Sequence, residues 1–299
     1  MPQTTSPRVG ASRLWQALRR DRWACASVLI IVLLAALALL APFTGLDPHT
    51  YHAELLDPRG LPLGPAGGMS LQHPLGVEPG TGRDLLAITV YGARASLAIG
   101  IGSTLVAVAL GALVGIAAGY FGGLTDTVLS RLIDVLLAFP SLIFMIAIAA
   151  ILPPETNRPL VMILILGLFG WATIARVVRA LTIRVRTATF VRTAEAMGAS
   201  RPRVLATQVL PQLSATLIVF ATMSVPGKIG AEAALSFLGV GLRPPTPSWG
   251  RSIKQAVDWI STDPWYLLGP GLALVSLTLA FNLLGDTLRD ALDPTEVAA

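Results

Sequence analysis

The chain has a single cysteine, Cys25, among 299 residues, so no internal disulfide can staple it and small disulfide scaffolds are excluded. Charge is scarce as well: Asp, Glu, Lys and Arg make up 13%, against about a quarter in soluble domains. Aromatics are 6% while apolar residues reach 54% and the mean hydropathy is +0.69, which leaves too little polar surface to clothe a water-soluble globule. The composition therefore argues against a soluble enzyme, and equally against disorder or collagen. Catalytic signatures are missing too. A phosphate-binding loop would need Gly five residues before Gly227 and Ser or Thr after Lys228, where this chain has Thr222 and Ile229, so it is not expected to hydrolyse ATP. There is no His-Glu-x-x-His, no cysteine pair and no Gly-x-Ser-x-Gly elbow. His49, His52 and His73 all precede the second apolar run, which leaves no histidine for an intramembrane serine protease.

What is present is a series of apolar runs. A hydrocarbon core of roughly 30 Å needs about 20 apolar residues as helix, and six stretches qualify: Trp23 to Phe43, Ala95 to Gly119, Leu132 to Leu152, Leu160 to Ala180, a fifth from Leu210 and Pro211 to Ala231, and Tyr266 to Leu284. The fold class expected is an all-α integral membrane protein with six transmembrane helices. Arg19, Arg20 and Arg22 before the first run resemble the start of a secretory signal, but that run exceeds the usual 7–15 residue apolar core, so an uncleaved helix is the better reading. Five Arg of the tail (Arg8, Arg13, Arg19, Arg20, Arg22) and seven from the end of run four to the start of run five (Arg176, Arg179, Arg184, Arg186, Arg192, Arg201, Arg203) mark both places as cytoplasmic. Six crossings then put both termini inside, and the loop holding Asp47, Glu54, Asp57, Glu78 and Asp84 outside. The high pI is the trace of this topology, and no nucleic-acid partner is expected. The expected segments are a tail (1–22), a first helix (23–43), an outer loop (44–93), a five-helix core (94–290) with an inner loop (181–210), and a C-terminal tail (291–299).

Several polar and small residues stand out. Gly111, Gly115 and Gly119 recur every four residues, behind Ala107 and Ser103, and bare one face of the second helix for close helix packing. Asp134 is expected to cap or pair near the inner surface. Lys228 and Glu232, four apart in the fifth span, either pair on one helix face or line a translocation path, and Pro226 with Gly227 would loosen that helix. His49 and His52 beside Glu54 read as a surface loop, and no metal site is assigned.

The inner loop is the most informative segment. Phe190, Ala194 and Met197 recur at helical spacing, Gly198 suits the left-handed residue that ends a helix, Ser200 suits a cap and Pro202 a first turn. The loop thus reads as helix, tight turn, helix. A short helix on the inner face is shaped to enter a groove on another protein.

With these residues in view, the chain resembles the permease subunits of bacterial ABC importers, specifically the second permease of the dipeptide/oligopeptide/nickel group. Ala194 to Ser200 followed by Leu210 and Pro211 is similar to that family's cytoplasmic signature, although Arg192, Thr193 and Gln208 depart from it. His73 to Gly76, Gly82 to Asp84, Tyr91 to Leu97, Glu232 to Gly239, Pro244 to Gly250 and Asn282 to Pro294 resemble further motifs of the group, in the same order. Lys228 replaces a small apolar residue of relatives. The resemblance implies a type I importer permease fold in the bacterial inner membrane, with no cofactor on this chain. It also implies a second homologous permease, two ATPase subunits that use ATP, and an extracytoplasmic solute-binding protein. Coupling to the ATPases would run through Ala194, Glu195, Ala196, Met197, Gly198 and Ala199. Dipeptides or oligopeptides are the implied cargo, with nickel or another small solute as the alternative. An ion-coupled secondary transporter, the rival class, usually shows an inverted repeat, which this sequence lacks.

Overall fold

A computed structural model describes residues 21–153 and 155–292. Arg8, Arg13, Arg19 and Arg20 of the tail, and Asp293 and Pro294 of the last motif, lie outside the described residues. The elements in order are α1 (Arg22–Leu40), α2 (Leu85–Phe121), α3 (Gly123–Ala138), α4 (Ser141–Ile151), α5 (Arg158–Arg186), α6 (Thr189–Ala196), α7 (Arg201–Val204), α8 (Leu210–Phe237), α9 (Trp249–Trp259) and α10 (Trp265–Leu292). A π-helical turn, Leu205–Val209, joins α7 to α8. Among the described residues, five helical stretches are long and apolar enough to cross a membrane, and the bent pair α3–α4 makes up to six.

The expected third span, Leu132 to Leu152, is not one helix. It breaks between Ala138 and Ser141, and the halves meet at 81°. Pro140 explains the break: it lacks an N–H, and it pushes the preceding residue out of the helical region, so Phe139 is extended (φ −81°, ψ 140°). The fifth span also differs. Helix does not begin at Leu210 and Pro211 but runs in from Arg201, and the π turn opens the ladder where the Pro211 ring would meet the carbonyl four residues back. Pro226 sits inside α8 without ending it.

The expected glycine face forms the principal helix contact. At 37 residues, α2 is about 55 Å long, so its ends stand clear of a roughly 30 Å hydrocarbon core. Gly111, Gly115 and Gly119 lie directly on α5: a Cβ at Gly111 would stand 2.7 Å from Ile174 Cβ, one at Gly115 2.7 Å from the Ala175 carbonyl, and one at Gly119 2.7 Å from the Arg179 carbonyl. Gly167 of α5 returns the contact against Val106. Partner numbers rise together along both helices, so α2 and α5 run parallel. The chain leaves α2 at one end of the pair and enters α5 at the other, which requires α3–α4 to carry it back.

Asp84 caps α2 by accepting from the Ala87 N–H at 2.8 Å, and Asn157 caps α5 by accepting from the Leu160 N–H at 3.2 Å. Toward the C-terminal ends of α2 and α5, Tyr120, Ile133, Val178, Val191, Val204 and Leu213 join α2, α3, α5, α6, α7 and α8 in one apolar cluster.

Overpacking the α2–α5 seam should be destabilising. Gly115→Leu is expected to cost about 1–3 kcal/mol, read as a lowered thermal unfolding midpoint in detergent. Leu113→Ala, on the exposed side of the same helix, should stay within about 0.5 kcal/mol of the wild type.

Candidate functional site

The short helix α6 is anchored at two points. Val191 is fully buried in that apolar cluster, and Tyr120, in the last turn of α2, donates to Glu195 Oε1 at 2.6 Å. Gly198 takes φ +82°, as the sequence leads one to expect. Its N–H donates to Glu195 O and the Ala199 N–H to Ala194 O, the paired bonds of a Schellman ending, with Ala194 and Ala199 both packed on the cluster. Ser200 occupies the cap position of α7, but its side chain makes no capping bond. Its carbonyl accepts from Val204 instead. On the outward side of α6, Phe190 is 43% and Met197 78% exposed, beside exposed Arg192 and Ala196.

Two ion pairs tie α3 to α5 nearby. Asp126 accepts from Arg179 in a two-pronged pair, and Asp134 accepts from Arg176 at 2.8 Å. The sequence leads one to expect a partner for Asp134, but carries no signal for Asp126 with Arg179 or for Tyr120 with Glu195.

Of the two readings for Lys228 and Glu232, a pair on one helix face or a path lining, the pair does not form. Lys228 Nζ donates to the Leu166 carbonyl of α5 at 2.5 Å. Glu232 is fully buried and accepts from Ser96 (3.0 Å), Ser236 (2.8 Å) and Ser248 (3.1 Å), while the Ser236 hydroxyl in turn accepts from the Leu242 N–H at 3.0 Å. Glu232 is thus a pin joining α2, α8 and the segment before α9, not a group facing open space.

The separated outer motifs converge. His73 Nδ1 and Asp84 Oδ2 lie 2.7 Å apart, and Arg83 pairs with buried Glu78 at 2.6 Å. The hydroxyl of Tyr266 donates to the same Glu78. Trp249 Nε1 donates to the Thr89 carbonyl at 2.8 Å, and its indole lies where a Cβ on Gly92 would be. His52 bonds Glu54 at 3.0 Å. Among the described residues, no three His, Cys, Asp or Glu side chains are grouped to share a metal. Burial lowers the pKa of Arg251 and raises that of Asp263, and each keeps one buried polar atom without a hydrogen-bond partner among the described residues.

With this geometry in place, two family matches bear on it. Residues 111–296 match the binding-protein-dependent transport system inner membrane component, and residues 11–61 match the N-terminal transmembrane domain of oligopeptide transport permease C. The chain belongs to the binding-protein-dependent inner-membrane permease family. This permease is similar to the dipeptide transport system permease protein DppC of Haemophilus influenzae, with 34% identity over 98% of this chain and 97% of the relative. The corresponding protein of Alkalihalophilus pseudofirmus is 36% identical over 94% and 88%. The glutathione transport system permease protein GsiD of Escherichia coli is 37% identical over 94% and 89%. The permease is therefore an ABC transport subunit of the inner membrane, and its all-helical described portion agrees with that membership.

The Glu232 pin generates a prediction. Glu232→Ala leaves three buried hydroxyls without their acceptor and should lower the unfolding midpoint in detergent well beyond Glu232→Gln, which keeps an acceptor oxygen. Ser96→Ala and Ser248→Ala should each cost about 1 kcal/mol and combine non-additively in a double variant.

Proposed function

We propose that this permease is one of two homologous transmembrane subunits of an ATP-driven importer for dipeptides or oligopeptides. The two subunits enclose the path, two ATPase subunits dock beneath them and bind and hydrolyse ATP, and an external binding protein delivers the solute. The observation that carries this reading is α6: a short helix locked to α2 through Tyr120 and Glu195, offering Phe190 and Met197 outward. Such a helix can seat its exposed apolar side chains in a groove of an ATPase and pass displacement to the α2–α5 pair. Ala194 and Ala199 hold its base, Glu195 its tether, Gly198 its sharp ending, and Ala196 and Met197 face the partner.

Six crossings with both termini cytoplasmic are the topology this mechanism needs. It is supported by the parallel run of α2 and α5, which makes α3–α4 a broken return span, and by the Arg residues at the inner end of α5 and in α6 and α7. A peptide cargo is supported by relatives named for dipeptide and glutathione transport. Nickel or another small solute is the alternative substrate. Lys228, beside a cavity between α5 and α8, is the path-lining candidate, whereas Glu232 serves as the pin.

Gly198→Pro or Glu195→Arg should abolish uptake and solute-stimulated ATP hydrolysis in the reconstituted transporter while membrane insertion persists. Transport at the wild-type rate in both variants would contradict the coupling role. Uptake of a dipeptide, glutathione or nickel by the same preparation separates the cargoes.

A further inference from the structure

Lys228 sits in α8 nine residues from Phe237, about 14 Å along the helix at 1.5 Å per residue. A cation packed between apolar helices is expensive to desolvate and is normally paired. Among the described residues no carboxylate lies within ion-pair distance of it, because Glu232, one turn on, is held by its three serines. Its single acceptor is the Leu166 carbonyl, and an ammonium has three N–H donors. Gly170 allows this position, since a Cβ there would collide with the ammonium. The side chain borders a cavity of about 390 Å³ lined by Met145, Thr173, Phe220, Ser224 and Gly227 among others. That size lies within the roughly 300–1,000 Å³ of small-molecule sites. The face is open at Gly227, where an added Cβ would meet nothing within 4 Å. A lysine amine with spare donors, set in an apolar cavity that also presents two hydroxyls, suits a small anion with a hydrocarbon body.

The geometry points to Lys228 as a transient binding site for the carboxylate of the transported solute: the ammonium takes the carboxylate by charge-assisted hydrogen bonds as the solute passes α5 and α8. The inference rests on the peptide-importer reading and deepens it, by making this chain, and not only the delivering protein, selective for solutes with a free carboxylate.

The test uses the complete reconstituted transporter with its binding protein, and measures ATP-driven uptake of the dipeptide Ala-Ala and of its C-terminal amide. The preference set by the binding protein cancels when the acid-to-amide rate ratio is compared between wild type and K228M. That ratio should fall about tenfold in K228M, the scale of one lost hydrogen bond to a charged group, and K228R should retain most of it. An unchanged ratio in K228M overturns the assignment while leaving the importer reading intact. Equal loss of both solutes, with subunits separating on gel filtration, also overturns it, since Lys228 would then answer an acid on a neighbouring subunit. If the wild-type complex imports neither solute, the dipeptide reading itself fails and the assignment, as argued for a dipeptide carboxylate, falls with it.

Discussion

Backbone-to-backbone contact between α2 and α5 is the constraint on which the other features depend. Inside a bilayer, helices gain little from hydrophobic burial against each other, because lipid is as apolar as leucine; close van der Waals contact must hold them. Gly111, Gly115 and Gly119 supply it by removing every side-chain atom from one stripe, so that carbonyls of Ala175 and Arg179 come within 3 Å of where a Cβ would be. The parallel sense of that pair forces α3–α4 to return the chain across the same distance. It also brings Tyr120 and the inner end of α5 together, which fixes where α6 can attach.

The polar groups form two assemblies, one at each end of α2, which on the proposed topology are the inner and the outer one. On the inner side, Tyr120–Glu195, Asp126–Arg179 and Asp134–Arg176 connect α6 and α3 to the pair. On the outer side, Glu232 with its serines, Trp249 on Thr89 and Glu78 with Arg83 connect α8, α9 and α10 to the outer half of α2. Displacement at α6 would reach the outer assembly through α2 and α5 as rigid elements. Lys228 lies one turn from Glu232 on α8 and reaches across to the Leu166 carbonyl of α5.

Much of the fold was legible because it rests on local chemistry. The glycine spacing announced the α2 seam, Gly198 announced a left-handed ending, and the apolar runs located the long helices. Other features depend on contacts that no local pattern encodes. Tyr120 meets Glu195 across 75 positions and Arg179 meets Asp126 across 53, with neither pair at helical spacing. Lys228 and Glu232 do have pairing spacing, yet three hydroxyls outcompete the lysine for Glu232. One of these, Ser248, is far from α8 in any one-dimensional pattern, being brought in by the turn before α9. Pro140 was a readable breaker inside an otherwise unbroken apolar run, where hydropathy alone favours a single straight span. The outer motifs could be matched to a family by order, but the bonds between His73 and Asp84 and between Trp249 and Thr89 emerge only from the packing.

The central claim is that α6 and the α2–α5 pair move as one body when ATP binds. Spin labels at Thr193 and Ile183, both exposed, in a Cys25→Ser background of the assembled transporter give the distance between α6 and α5 by pulsed electron resonance. It should change by no more than about 2 Å between nucleotide-free and ATP-trapped states, the scale of a minor helix shift; a change on the order of a helical turn, about 5 Å, would contradict the account.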